Sequence, residues 1–236
     1  MPTTLTGWLT WSDPVSGAAQ RLQEHLTYTG LAVLLACAVG LPLGIVLGHL
    51  GRGGALAINV SNAGRAVPTL GVVILFAVSP IGAGTTGIVL ALALYALPPV
   101  LTNAYVGMRE VDAEAVEAAR GMGMSTGQLV RRVELPLAFP LVAAGVRSAV
   151  LQVVSTAVLA AAVGGGGLGR WLIDGLAAQD YPQLQAGAVL VAALALVVEL
   201  LLAGLQRLVD PVGRAGAGRR REAVPGPEGV AAGSRP

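Results

Sequence analysis

At 236 residues, 54% hydrophobic and only 12% charged, with a mean hydropathy of +0.72, the chain carries about half the charge of an ordinary soluble domain, so its apolar surface must face lipid or a buried bundle. All fifteen basic residues are Arg, for a net charge of +2, and without any Lys the chain cannot build a Walker A phosphate loop; energy for any work must come from a partner. The single Cys37 excludes an internal disulfide, and 33 glycines with 4% aromatics fit an all-α membrane protein whose helices approach closely through small residues.

Residues 1–24 are mixed in character. They lack a basic stretch followed by a cleavage site, and Trp8 and Trp11 point to a segment lying at the membrane interface outside the cell. A first span is expected from His25 to Leu50, where no formally charged residue occurs. After a turn around Arg52 a second span runs from Leu56 to Val78, kinked near Pro68. The Ser79–Gly84 cluster then forces a tight exit and re-entry before a third span from Thr85 to Tyr105. A polar island follows, DAEAVEAARGMGMSTGQLVRRVELP, from Asp112 to Pro136. Asp112 caps a helix N-terminus, Glu114 and Glu117 complement its dipole, the alanines favour helix, and Gly121 and Gly123 stop it. The product is a peg of about three turns whose small residues Ala115, Ala118 and Ala119, with Met122, can enter another protein's groove. Leu135-Pro136 opens a fourth span to about Val163, ended by Gly164–Gly169. No strand precedes those glycines and no Lys follows them, so they read as a turn or a close helix crossing and not as a nucleotide loop. Trp171 to Gln185 is a polar loop, Leu184 to Leu208 a fifth span, and residues 210–236 a disordered tail carrying Arg219, Arg220 and Arg221.

Residues 25–209 thus form a transmembrane domain of about five helices. Eleven arginines lie on the side of the peg and tail (Arg52, Arg109, Arg120, Arg131, Arg132, Arg207, Arg214, Arg219, Arg220, Arg221 and Arg235), and two, Arg21 and Arg170, on the other. That bias puts the peg and C-terminus in the cytosol and the N-terminus outside a multi-pass plasma-membrane protein. Arg65, Arg147 and Glu199 fall within spans, each about ten residues from the cytosolic end and so at a common depth of about 15 Å, which permits an Arg147–Glu199 or Arg65–Glu199 pair. His25 and His49 sit at span ends, no GxSxG elbow is present, and Glu199 has no carboxylate partner in a span, so an intramembrane enzyme is poorly supplied. No cofactor, metal or nucleic-acid partner is expected.

The peg reads Glu117-Ala118-Ala119, three residues, Gly123, nine residues, then Val133-Glu134-Leu135-Pro136. This resembles the EAA loop of ABC importer permeases, with Val133 in place of Ile. The segments Asn62–Leu70, Leu94–Gly107 and Gly164–Gly169 are further similar to permeases for osmoprotectants such as glycine betaine, carnitine, choline and proline, with Pro98 replacing a Leu and Thr102 an Arg. The resemblance implies the type I importer permease fold and coupling to a separate ABC ATPase through Asp112, Glu114, Glu117, Ala118, Ala119, Gly121, Gly123, Leu135 and Pro136. It implies as further partners an extracytoplasmic solute-binding protein and a second permease copy or sister permease. Nine aromatics scattered through the chain are too few for a cage around a quaternary ammonium, which assigns tight recognition to the binding protein and a low-affinity polar corridor to this chain. Candidate path or gate residues are Arg65, Tyr95, Asn103, Tyr105, Arg147 and Glu199. A permease for methionine or another small solute is the alternative within transport, and a passive channel or membrane scaffold the alternative outside it.

Overall fold

The computed structural model describes residues 2–209; the tail expected from Asp210 onward lies outside the described residues. The chain folds into helices α1 (Leu5–Leu9), α2 (Ala18–His49), α3 (Gly54–Ala66), α4 (Thr69–Val78), α5 (Thr85–Arg109), α6 (Ala113–Gly121), α7 (Thr126–Leu129), α8 (Leu135–Thr156), α9 (Gly169–Ala177) and α10 (Tyr181–Val209). A π-helical turn, Val130–Glu134, joins α7 to α8, and 3₁₀ turns, Ala157–Val163, finish α8. Among the described residues four helical stretches are long and apolar enough to cross a membrane: Ala18–His49, Thr85–Arg109, Thr126–Val163 and Tyr181–Leu208.

The expected second span is not one kinked helix. Proline drives its predecessor out of the α region and its own ψ here is 116°, so helix stops at Ala66 and restarts at Thr69. The two halves still retrace α5 in the opposite direction. A Cβ on Gly54 would lie 3.0 Å from the Tyr105 hydroxyl, the Thr102 hydroxyl donates to the Ala57 carbonyl (3.3 Å), and a Cβ on Gly64 would lie 2.5 Å from Pro98 Cγ. α3 and α4 together therefore make one broken pass.

The core is the seam between α2 and α5. Ala32, Ala36, Gly40, Gly44 and Gly48 recur every fourth residue, one face of a helix, and all are buried. A Cβ on Gly44 would sit 2.6 Å from Ala104 Cβ and 2.7 Å from the Leu101 carbonyl oxygen; on Gly48, 2.8 Å from the Tyr105 carbonyl oxygen. The backbones meet because nothing larger than hydrogen stands between them, the usual device where lipid supplies no hydrophobic drive. α8 runs antiparallel to α5 on its other side, with Gly107 against Ala138 and Gly145 against Asn103. The opposite faces of α2 and α10 carry exposed Leu34, Val39, Leu43, Leu196, Leu200 and Leu205, which suits hydrocarbon.

At the end remote from α6, residues 2–17 are folded, which corrects the expectation of an interfacial tryptophan segment. Trp8 is 3% exposed, stacked on Trp11 and edge-on to Trp171, each at 5.3 Å between ring centroids. The Trp171 Nε1–H donates to the Ser16 carbonyl (3.0 Å), so two of the three indoles pack protein and not lipid. The Ser16 and Val15 N–H groups and the Ser16 hydroxyl donate to Asp13 Oδ1, holding its carboxyl below its ordinary value and shaping the turn into α2. α2 consequently begins at Ala18, seven residues before the expected span. The region expected as a polar loop from Trp171 is mostly helical as well: α9 carries Trp171, and α10 begins at Tyr181.

Candidate coupling helix and translocation cleft

α6 is built as its sequence demands. Asp112 Oδ1 accepts the Glu114 N–H (2.9 Å), Glu114 stands in the first turn, and Arg120 in the last, where each complements the helix dipole. The helix stops because Gly123 takes φ +79°, and two bonds close the end: Gly123 N–H to the Arg120 carbonyl (2.9 Å) and Met124 N–H to the Ala119 carbonyl (3.2 Å). This is a Schellman motif. Asp112, Glu114, Glu117, Ala118, Gly121 and Gly123 are exposed, and Met122 is 71% exposed, an unusual state for a thioether. Ala119 departs from the expected peg face. At 2% exposure it turns inward and seats the helix on the rest of the chain.

The route from α6 to the bundle is short and stiff. Ser125 and Gln128 form a capping box, with the Ser125 N–H donating to Gln128 Oε1 (2.9 Å) and the Gln128 N–H to Ser125 Oγ (3.4 Å). Leu129 is buried, and the π-helical turn then swings Glu134 inward to 5% exposure while Leu135 and Pro136 open α8 half-buried. His49, at the last turn of α2, meets it: Nδ1 lies 2.7 Å from Glu134 Oε2. This pair, unanticipated from the sequence, ties α2 to the start of α8.

Deeper in the bundle a cleft of about 410 Å³ lies between α3, α5 and α8, lined by Ser61, Gly64, Tyr95, Pro98, Pro99, Thr102, Asn103, Ser148 and Gln152. Its polarity follows from the proline pair. Pro99 has no N–H, which leaves the Tyr95 carbonyl without its helical donor, and Gln152 Nε2 fills the vacancy at 3.3 Å. Asn103 Nδ2 donates to the Pro99 carbonyl (2.8 Å). Among the described residues, hydroxyls, amides and a phenol line the cleft. A smaller apolar pocket of about 260 Å³ shares Gly64, Tyr95 and Pro98 with it and continues along the break between α3 and α4.

Residues 40–212 match the family described as "Binding-protein-dependent transport system inner membrane component". The chain belongs to this family. The permease is 36% identical over 190 residues to the choline transport system permease protein OpuBB of Bacillus subtilis (strain 168), covering 80% of this chain and 87% of that protein. It is 37% identical over 188 residues to the carnitine transport permease protein OpuCB of Listeria monocytogenes, covering 80% and 86%. It is 37% identical over 191 residues to the osmoprotectant import permease protein OsmY of Salmonella typhimurium (strain LT2), covering 80% of each. Among solved structures, inward-facing MetNI, a methionine ABC transporter, aligns with a TM-score of 0.70 at 22% identity, covering 81% of this chain and 95% of that one. At that identity the likeness is one of fold.

Of the path candidates in the permease, Tyr95 and Asn103 line the cleft. Tyr105 does not; its hydroxyl packs beneath Gly54 near the α6 end. Arg147 and Glu199 do pair, through two contacts of which Nε to Oε2 measures 2.9 Å, but they bridge α8 to α10 and stand outside the cleft lining. In this geometry the anticipated ion pair ties α8 to α10. Arg65 follows cleft-lining Gly64 on α3, and its side chain lies outside the described part of the structure. Ser61, Thr102, Ser148 and Gln152 escaped the sequence reading because lone hydroxyls and amides in apolar helices are common.

The glycine-rich segment Gly164–Gly169 explains itself at the far end of the permease. Gly164 and Gly167 have φ of +85° and +82°, and any Cβ on Gly166 would collide with the Glu24 carboxylate. The Gly167 N–H donates to Glu24 Oε2 (2.7 Å), the Gly166 N–H to the Tyr28 hydroxyl oxygen (3.2 Å), and Arg21 holds the same carboxylate at 3.0 Å. His25 Nε2–H donates to the Val154 carbonyl (2.9 Å). The loop is a latch of backbone laid across the start of α2, with its donors already engaged by protein.

Proposed function

We propose that this chain is the transmembrane subunit of an ATP-driven importer of osmoprotectants, quaternary ammonium compounds such as glycine betaine, choline and carnitine, or proline. In this reading a separate ABC ATPase seats α6 in a groove, an extracytoplasmic binding protein delivers solute, and a second copy or a sister permease completes the path. The peg and tail lie in the cytosol and the N-terminus outside, as the arginine bias argues. ATP hydrolysis belongs to the partner, since a chain without Lys lacks the phosphate-loop lysine. The observation that carries this reading is α6 itself: a capped helix with a defined left-handed stop, presenting Glu117, Ala118 and Met122, at the spacing of the EAA loop.

The hydroxyls and amides of the cleft fit the cargo proposed, because a passage that bound a zwitterion or a quaternary ammonium tightly would slow its release. Recognition then rests with the binding protein. Uptake of radiolabelled betaine, choline, carnitine and proline, measured in a strain lacking other importers, tests the cargo; methionine entering while these do not would overturn it. Copurification of an ATPase that depends on residues 112–136 tests the transport class, and a channel or scaffold would show none.

A further inference from the structure

The π-helical turn produces a second feature beside the peg. The Leu135 N–H reaches back to the Val130 carbonyl, and this wide turn buries Glu134 while Arg131 and Arg132 stay exposed. With Ser125, Gly127 and Gln128 they line a surface cleft of about 500 Å³. Among the described residues no acidic side chain lines it and neither arginine is in an ion pair. The neutral liners are also turned to donate. Gln128 Oε1 is occupied by the Ser125 N–H, which leaves its NH₂ group, and Ser125 Oγ already accepts from the Gln128 N–H, which leaves its O–H. The cleft thus offers two guanidinium forks, an amide and a hydroxyl, and calls for a tetrahedral oxyanion.

Its depth identifies the source of that oxyanion. Within the crossing stretch Thr126–Val163, Arg131 and Arg132 stand four and three residues before Leu135, where its uncharged apolar run begins, which is roughly 4.5–6 Å along a helix and so at the level of the lipid headgroups. We propose that the cleft of Ser125, Gln128, Arg131 and Arg132 binds the phosphate of an anionic phospholipid at the point where α8 meets the bilayer. Inorganic phosphate has the same chemistry but is not confined to that level.

The test uses the assembled permease–ATPase complex in micelles containing equal amounts of phosphatidylglycerol and phosphatidylcholine, with retained lipids counted by native mass spectrometry. Each arginine at an anionic surface contributes roughly a fivefold preference, so the Arg131→Gln/Arg132→Gln double variant is expected to lower retained phosphatidylglycerol relative to phosphatidylcholine by roughly twenty-five-fold. The tail arginines stay in place in every variant, so the change reports the cleft. An unchanged ratio overturns the proposal. So does displacement of the lipid by millimolar inorganic phosphate, which would mark a free-anion site, or loss of the ATPase from the double variant with lipid retention intact, which would mark a protein interface. Should the double variant fail to assemble, Arg131→Gln and Arg132→Gln singly are each expected to lower the ratio roughly fivefold, and no change in both is refuting.

Discussion

Gly123 is the position at which the coupling role of α6 can be tested with a worked magnitude. Its φ is +79°, and an ideal Cβ built there meets no atom of this chain within 4 Å, so within the chain a Cβ costs backbone strain and no clash. For an L-residue in the left-handed region that strain is roughly 1 kcal/mol, less for Asn and more for a β-branched residue. About 1 kcal/mol shifts the balance between the closed helix end and a frayed one roughly fivefold, at the expense of the Gly123–Arg120 and Met124–Ala119 bonds. Gly121 is the built-in control. It also has open space around its Cβ but lies within the helix, so Gly121→Ala should strengthen α6 by roughly 0.5–1 kcal/mol. In proteoliposomes with binding protein and ATPase, solute-stimulated hydrolysis is expected to fall in the order Gly123→Asn, Gly123→Ala, Gly123→Val, with Gly121→Ala at or above wild type. A flat series at 123, or equal loss at 121 and 123, would show that a defined helix end is not what conveys the motion.

Three further expectations follow from the same geometry. Gly44→Val drives a branched side chain into a seam where even its Cβ is 2.6 Å from Ala104 Cβ, so roughly 1–3 kcal/mol should be lost and the Tm in detergent should drop, whereas Gly30→Val, with open space, should leave it unchanged; equal Tm values for the two sink the account of the α2–α5 seam. Arg147→Ala or Glu199→Ala each strands a charge between α8 and α10, so each is expected to destabilise more than the double replacement, and simply additive losses in thermal unfolding would contradict a coupled pair. In a Cys37→Ala background, an impermeant thiol reagent applied to sealed cells should label Asp174→Cys on α9 and spare Ala118→Cys on α6, and the reverse pattern would invert the topology.

What was legible in the sequence was whatever depends on local composition or fixed spacing. Apolar runs located the spans because lipid leaves a helix no alternative way to satisfy its backbone. Asp112 and Gly123 located α6 because capping and the left-handed stop are local chemistry, whereas Gly121, expected to help stop the helix, is its last helical residue. The break at Pro68 was only half legible: Thr69 is the one polar side chain from Val67 to Val78, so hydropathy hardly marks it, and proline alone does not distinguish a kink from a stop. α9 was missed because nine residues bounded by glycine and rich in polar neighbours read as loop, although Trp171 and the packing of Gly175 and Gly187 make it helix and core. The His49–Glu134 bond spans 85 residues of sequence, and no pattern within either helix foretells the other. The Gln152–Tyr95 bond is an intermediate case. Pro99 announces an orphan carbonyl, but which side chain supplies the donor is a tertiary fact.

The placement of α6 also has a mechanical consequence that does not depend on the cargo. By covalent connection it joins the ends of α5 and α8, the two helices that supply Tyr95, Asn103, Ser148 and Gln152 to the cleft. From Leu135 to Gln152 the second of these is continuous helix, about 26 Å of it, and Pro140, which removes a backbone bond, stands near its start and away from the cleft-lining Ser148 and Gln152. The first has Pro98 and Pro99 at the cleft, each of which removes a backbone bond and softens the rod at the level where Gln152 braces it. The third wall, Ser61 on α3, hangs on the separate turn around Arg52 and ends at the Pro68 break. A displacement of α6 is therefore passed by covalent connection to two walls and only through packing on α5 to the third. The His49–Glu134 bond sets how much of that motion α2 shares, because it is the polar tie between the end of α2 and the start of α8.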